Sequence, residues 1–95
     1  MQASPYNYIV EVKIFMESTN DGRYRHIAKK IVYYRNLREI SQDELADKIA
    51  ISKSYLSKIE APNSTKTYSL DVLFAIADGL EVNVIQFFMP IKEKE

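Results

Sequence analysis

The sequence contains no cysteine and only one histidine, and these two shortages remove several classes of function. Without cysteine the chain can form no disulfide, thiol nucleophile, zinc finger or iron–sulfur cluster. His26 stands alone, so we expect no metal, no cofactor and no enzymatic activity. No apolar run approaches the roughly 18 residues that a membrane span requires. We therefore expect a cytoplasmic protein with no membrane partner.

The chain also lacks net charge, because 13 basic residues balance 13 acidic ones. The total argues against nucleic-acid binding, but the distribution is uneven. Residues 23–60 contain nine Lys or Arg against five Asp or Glu, a net charge of +4, while residues 1–22 and 61–95 each carry −2. A local basic patch matters more than the total for binding a polyanion. The middle of the chain is the candidate binding surface.

The first part of the chain has the periodicity of a β-strand. Residues 8–16 alternate and are rich in β-branched side chains, which favours a strand over a helix. A lone strand cannot satisfy its own backbone hydrogen-bonding groups, so it needs a partner. We favour antiparallel pairing with the same strand of a second copy; the alternatives are addition to a sheet edge of another protein, such as a toxin or a sensor domain, and a hairpin with residues 23–25 or disorder. The residues assigned to dimerisation are Tyr8, Val10, Val12, Ile14 and Phe15.

After Gly22 the apolar spacing becomes helical and stays so. Side chains suited to helix N-caps precede four of the expected helices, and the first of them begins a capping box with Glu44. These N-caps are Ser41, Ser52, Ser69 and Asn83. The predicted fold class is all-α, with five helices and an N-terminal β-strand arm. We divide the chain into an arm and linker (1–22), a helical domain (23–89) and a charged tail (90–95).

Two of the predicted helices, 42–49 and 53–60, are joined by Ala50-Ile51-Ser52. Two short helices joined by a three- to four-residue turn are a helix-turn-helix unit. Its second helix has an outward face of cations, hydroxyls and one phenol, with no carboxylate before Glu60. Such a face suits the acceptor-rich major groove of DNA.

These residues resemble a known family. The runs Ser41-Gln42-Asp43-Glu44-Leu45-Ala46 and Ser52-Lys53-Ser54-Tyr55-Leu56 are similar to the Cro/repressor (XRE-like) helix-turn-helix regulators of bacteria and phages. The similarity runs from about residue 25 to residue 88. It implies a five-helix DNA-binding domain that acts in transcription, often as a repressor, and usually as a dimer.

The resemblance also implies roles for single residues. The opening of the helix over 53–60 lies where family members read base edges, Gln42 lies where they contact a phosphate, and the loop at 66–67 lies along the DNA backbone. Arg38, which the pattern exposes, and Ser52, at a helix N-terminus, are phosphate candidates by their own chemistry. The assigned base contacts are Lys53, Ser54, Ser57 and Lys58. The assigned phosphate contacts are Arg38, Gln42, Ser52, Tyr55, Lys66 and Thr67.

The remaining conspicuous residues are expected to be structural. Arg35 and Glu60 are predicted to form a partly buried ion pair, Lys29 and Lys30 to lie on a solvated face, and His26 to lie at the surface. The phenylalanines at 74, 87 and 88 have core spacing, with residues 87–89 as an alternative dimer interface. Four positions that are commonly glycine in the family hold other residues: Glu39, Ala50, Ala61 and Glu81. Any that keeps a left-handed backbone costs roughly 1 kcal/mol.

Two functions remain open at this point. The first is a dimeric, sequence-specific regulator that binds double-stranded DNA at two half-sites about one helical turn apart. The second is an antitoxin-like interaction module that binds a partner protein through its N-terminal strand, with DNA binding secondary. Co-purification of a second chain would favour the second function.

Overall fold

Four α-helices and one short 3₁₀ helix make up the part of the chain that the computed structural model describes, residues 19–64 and 66–90. The α-helices are α1 (Asn20–Leu37), α2 (Gln42–Ile49), α3 (Lys53–Glu60) and α4 (Leu70–Leu80), and the 3₁₀ helix is Val84–Phe88. No strand occurs within these two ranges. The predicted strand arm, residues 8–16, lies outside them, as does most of the charged tail. Within the same ranges, no helix is long and apolar enough to cross a membrane.

The helix-turn-helix unit has the predicted bounds, and two other elements differ from the prediction. The last of the five expected helices is a 3₁₀ helix, so the α-helix count is four. The first helix begins at Asn20 rather than at residue 23. The hydroxyl of Thr19 accepts a hydrogen bond from the Gly22 N–H at 3.1 Å, and Asp21 lies in the first turn, where the helix dipole favours an acid. The residues interpreted as the end of a linker therefore start α1.

The predicted N-caps are confirmed, and they account for where the helices begin. The Ser41 hydroxyl accepts from the Glu44 N–H at 3.1 Å, and the Glu44 carboxylate accepts from the Ser41 N–H at 2.8 Å. This reciprocal pair satisfies two donors that a helix start otherwise leaves open. The side chains of Ser52, Ser69 and Asn83 each accept one backbone N–H in the first turn of their helices.

All five helices contribute to one hydrophobic core. Its buried members are Ile27, Ile31, Leu45, Ala46, Leu56, Ile59, Leu73, Ile76, Ala77, Leu80 and Phe87. Helices α2 and α4 approach closely at Gly79, where an added Cβ would lie 2.7 Å from Ile49 Cγ2 and 2.9 Å from Leu45 Cδ1. Of the three phenylalanines with core spacing only Phe87 is in the core, and Phe88 is 36% exposed. On α4, Phe74 is 45% exposed and Leu70 is 62% exposed. The buried side of α4 begins at Leu73, so the side chains of Leu70 and Phe74 lie at its edge.

Two residues of α1, Lys30 and His26, contact the carbonyls that follow the 3₁₀ helix, and the burial of Lys30 is contrary to prediction. Lys30 is only 3% exposed, and its Nζ donates to the Pro90 carbonyl at 3.2 Å. The same ammonium lies 5.4 Å from the centroid of the Tyr34 ring. His26 is half-buried, with Nε2 2.9 Å from the Met89 carbonyl oxygen. Because the chain returns over α1 after Phe88, it supplies acceptors for side chains that local periodicity places in solvent.

Three of the four residues at family glycine positions have a left-handed backbone: Glu39 (φ 59°), Ala50 (φ 61°) and Glu81 (φ 59°). Each follows a helix, where this conformation ends the hydrogen-bond ladder. Ala61 differs, because its φ is −59°. The expected strain is therefore present at three sites and absent at the fourth.

The Ala50→Gly substitution is expected to stabilise the protein by about 0.5–1 kcal/mol. The left-handed penalty of roughly 1–2 kcal/mol for a side chain exceeds the added backbone entropy of glycine, about 0.5–1 kcal/mol. Ala61→Gly is the matched control, and it should destabilise because its φ carries no such penalty. Urea unfolding of both variants measures the difference. Equal shifts at the two positions would mean that the left-handed backbone is not what limits stability there.

Candidate nucleic-acid interface

Helix α3 presents one face to the core and the other to solvent. Leu56 and Ile59 are buried at 0% and 2% exposure, and they fix the rotation of the helix about its axis. The residues assigned to base contact all lie on the opposite, exposed side: Lys53, Ser54, Ser57 and Lys58. The first turn of α3 contains no acidic residue. The exposed face thus offers two cations and two hydroxyls in two turns.

The turn before α3 is set by backbone hydrogen bonds. The Ile51 N–H donates to the Ala46 carbonyl at 3.0 Å, and Ala50 has φ 61° and ψ 41°. Ala46 is 2% exposed, as expected where one helix of the unit crosses close to the other. The Ser52 hydroxyl then accepts from the Tyr55 N–H at 3.0 Å. Ser52, an assigned phosphate contact, therefore caps α3 and keeps its own hydroxyl proton to donate.

Gln42, another assigned phosphate contact, is tied to the predicted ion pair. Arg35 Nε and Nη2 donate to the two carboxylate oxygens of Glu60, each at 2.9 Å. Gln42 Nε2 donates to Glu60 Oε1, also at 2.9 Å. The side chains of Arg35 and Glu60 are 14% and 3% exposed, so the pair is held away from water. This Arg35–Glu60–Gln42 network joins α1, the start of α2 and the end of α3.

Lys53, the first assigned base contact, has an acidic neighbour that the sequence pattern does not pair with it. Lys53 Nζ lies 3.5 Å from Asp43 Oδ1, and both side chains are more than half exposed. The sequence pattern marks Asp43 only as a residue inside the capping box of Ser41 and Glu44. The contact crosses the turn of the helix-turn-helix, ten residues apart in sequence, so no helical spacing rule points to it.

The loop after α3 brings two more assigned residues beside the exposed face. Lys66 Nζ lies 5.4 Å from the centroid of the half-buried Tyr55 ring, within the range of a cation–π contact. Thr67 is exposed next to it. The aromatic ring and the ammonium therefore lie together at one side of α3, while the lysine backbone N–H donates to the Ser64 hydroxyl at 3.0 Å.

Arg38 is not part of this surface arrangement. Its Nε donates to the Leu80 carbonyl at 2.8 Å and its Nη2 donates to the Glu81 carbonyl at 2.9 Å. These carbonyls end α4 and have no partner within the helix. The guanidinium therefore caps the C-terminal end of α4, and its assignment as a phosphate contact stays a prediction. The dimerisation residues Tyr8, Val10, Val12, Ile14 and Phe15 lie outside the described residues.

The described residues thus contain a helix-turn-helix whose second helix has an exposed row of polar and basic side chains. These two features place the chain in the class of helix-turn-helix proteins. Residues 31–87 match the model of the HTH_3 helix-turn-helix family. Because the match covers more than half of the 95 residues, the chain belongs to this family. The predicted family membership is confirmed.

A solved structure is similar to a large part of this chain. It is the crystal structure of an HTH_3 family transcriptional regulator from Vibrio cholerae, with 30% sequence identity and a TM-score of 0.66. The similarity covers 74% of this chain and 38% of the regulator, so this chain spans well under half of the regulator's length. Comparison with curated proteins gave no match.

Proposed function

We propose that this chain is a sequence-specific DNA-binding transcriptional regulator that places α3 in the major groove. The observation that carries the proposal is the exposed row on α3, which has cations and hydroxyls facing outward and no carboxylate before the buried Glu60. A helix about 10–12 Å across fits the roughly 12 Å wide major groove. The Vibrio cholerae structure, described as a transcriptional regulator, supports the same function.

The proposal includes a dimer on an inverted repeat. Two copies of α3 related by a two-fold axis would read half-sites about 34 Å apart. We keep the assignment of dimerisation to the apolar side chains of residues 8–15. The zero formal charge of the chain implies modest non-specific affinity, so readout would depend strongly on the base contacts and on half-site spacing.

Selection from a random duplex DNA pool at physiological salt tests the function directly. Enrichment of an inverted repeat with half-sites one helical turn apart is the expected result. Circular dichroism of the same preparation establishes that the protein is folded. A folded protein that enriches no sequence would contradict the proposal and direct attention to a partner protein of the N-terminal segment.

Replacing Lys53 and Lys66 separates base reading from phosphate binding. We expect Lys53→Ala to weaken operator binding by about 1–3 kcal/mol and to relax preference at one base position. We expect Lys66→Ala to weaken binding to all DNA sequences alike and to reduce the slope of log K against log salt concentration by about one unit. Fluorescence anisotropy on operator and scrambled duplexes at several salt concentrations distinguishes them. If both variants weaken every duplex equally, the two assignments are wrong.

The Asp43–Lys53 contact yields a separate prediction. Asp43→Asn removes a negative charge beside the proposed DNA surface and releases the ammonium, so we expect tighter binding to duplexes of any sequence and a steeper salt dependence. Asp47→Asn, on the same helix, is the charge-matched control. In a Lys53→Ala background the gain from Asp43→Asn should shrink. An undiminished gain would show that Asp43 acts without Lys53.

A further inference from the structure

A groove of about 520 Å³ lies on the side of the domain where α1 and α4 begin. Its walls are mostly apolar, and they comprise Tyr24, Ile27, Tyr68, Leu70, Leu73 and Phe88. The α1 wall is one helical stripe, because its members are spaced three and four residues apart. The α4 wall begins at the loop residue Tyr68, whose ring meets that of Tyr24 edge to face with centroids 5.2 Å apart.

Two large apolar side chains of the groove are exposed to solvent. Leu70 is 62% exposed at the start of α4, and Phe88 is 36% exposed at the other side. The Tyr68 hydroxyl is shielded from solvent and has no hydrogen-bond partner among residues 19–64 and 66–90. Burial raises the pKa of this hydroxyl above its usual range. The exposed apolar side chains, Leu70 and Phe88, are what an apolar cover of moderate length would shield.

The N-terminal part of the chain reaches the described domain beside this groove. Residue 18 precedes the N-cap of α1, and Asn20 and Arg23 line the groove rim. The α1 wall also lies before residue 31, where the family match begins. The α1 wall of the groove and the preceding segment therefore both lie outside the residues matched by the family model, while the α4 wall lies within them.

We propose that residues 8–16 of the same chain lie in this groove, with Tyr8, Val10, Val12 and Ile14 facing its walls. Three residues, 17–19, connect the segment to α1. At about 3.3 Å per residue, one apolar face of an extended segment of this length covers roughly 20 Å. The backbone edges and the opposite face, which includes Phe15, stay available for the pairing with a second copy proposed above. Tyr8, Val10, Val12 and Ile14 would then take part in that pairing through their backbone groups and not through their side chains. The proposal does not depend on DNA binding.

Spin labelling of the full-length protein tests this placement. The chain has no cysteine, so one introduced cysteine carries a nitroxide at a single chosen position. Asp71→Cys places the label on an exposed position next to Leu70, and Lys58→Cys places it on α3, which contributes no groove residue. In ¹⁵N-labelled protein we expect the label at 71 to broaden the amide signals of residues 10–14. The label at 58 should leave them sharp.

A matched pair of substitutions tests whether the groove itself holds the segment. Leu70→Glu places a charge in the groove and should restore the broadened signals. Phe74→Glu changes an exposed apolar residue one turn further along α4, outside the groove, and should leave the broadening intact. Restoration by both variants, or by neither, would overturn the role of the groove.

Mixing separately labelled chains identifies whose segment occupies the groove. When ¹⁵N-labelled protein without a nitroxide is mixed with unlabelled protein carrying the label at 71, we expect the signals of residues 10–14 to broaden less than within the single labelled chain, because in the proposed dimer the label of the second copy lies about one strand spacing further away. Broadening in the mixture that exceeds the broadening within the single labelled chain would place the segment of a second copy in the groove and would overturn the proposal. Absence of broadening within the single labelled chain would overturn it as well.

Discussion

Replacing Phe87 by alanine is expected to lower the free energy of unfolding by about 3–5 kcal/mol. The ring is completely buried and lies edge-on to the Tyr34 ring, with centroids 6.2 Å apart. It is the buried residue of the 3₁₀ helix, so its loss leaves a cavity between that helix and α1. A domain of this size has a total stability on the order of 5–10 kcal/mol, so the variant should lose about half of it.

Phe88→Ala is the matched control, one residue further along the same 3₁₀ helix. Because its side chain is 36% exposed, we expect a loss of about 1 kcal/mol. Urea unfolding at several protein concentrations compares the two variants. The Phe87→Ala loss should not depend on concentration, since the ring packs within one chain. A concentration-dependent loss would instead place Phe87 in the alternative dimer interface at residues 87–89.

Local chemistry was sufficient to predict the helix-turn-helix. The starts of α2 and α3 follow from Ser41 and Ser52, whose hydroxyls accept hydrogen bonds from backbone N–H groups in the first turn of each helix. The lengths of the two helices follow from the apolar spacing after each serine. The left-handed residue at Ala50 was also foreseeable, because the turn length and the family pattern both require the chain to reverse there. These features depend on residues no more than a few positions apart.

Contacts between distant parts of the chain are what the local pattern does not predict. The pattern places Lys30 in solvent, yet its acceptor is a carbonyl 60 residues later. Arg38 caps a helix end more than 40 residues away, a role that its pattern does not indicate. A basic side chain on a helix has the same local pattern whether its partner is water, phosphate or a returning carbonyl. Only the path of the chain after Leu80 distinguishes these cases.

The sequence pattern predicts too late a start for α1, residue 23 instead of Asn20, for a different reason. The residues Thr19-Asn20-Asp21-Gly22 favour turns, but the same side chains also favour the N-cap and first turn of a helix. The apolar spacing of the next residues decides between the two, and the apolar stripe of α1 is weak before Ile27. The extra turn adds Asn20 to the α1 side of the groove proposed to receive residues 8–16.

The Arg35→Ala substitution is expected to destabilise the protein by about 3–5 kcal/mol, because it leaves the Glu60 carboxylate buried without its cation. Lys48→Ala breaks the ion pair with Glu81, which is 3.8 Å long and well exposed, and should change stability by less than about 1 kcal/mol. Thermal and urea unfolding compare the two. The double variant Arg35→Met with Glu60→Leu should recover much of the loss, since apolar side chains can replace a buried pair.

The double variant also tests what the Arg35–Glu60–Gln42 network contributes beyond stability. Glu60 accepts from both Arg35 and Gln42, so the network fixes the end of α3 against the start of α2 and orients the Gln42 amide. In the apolar double variant the fold persists but Gln42 loses its acceptor. We therefore expect operator affinity to fall while the unfolding midpoint stays near that of the unmodified protein. Unchanged affinity in a folded double variant would show that the network contributes only to stability. The core residues Leu56 and Ile59 alone would then set the orientation of α3.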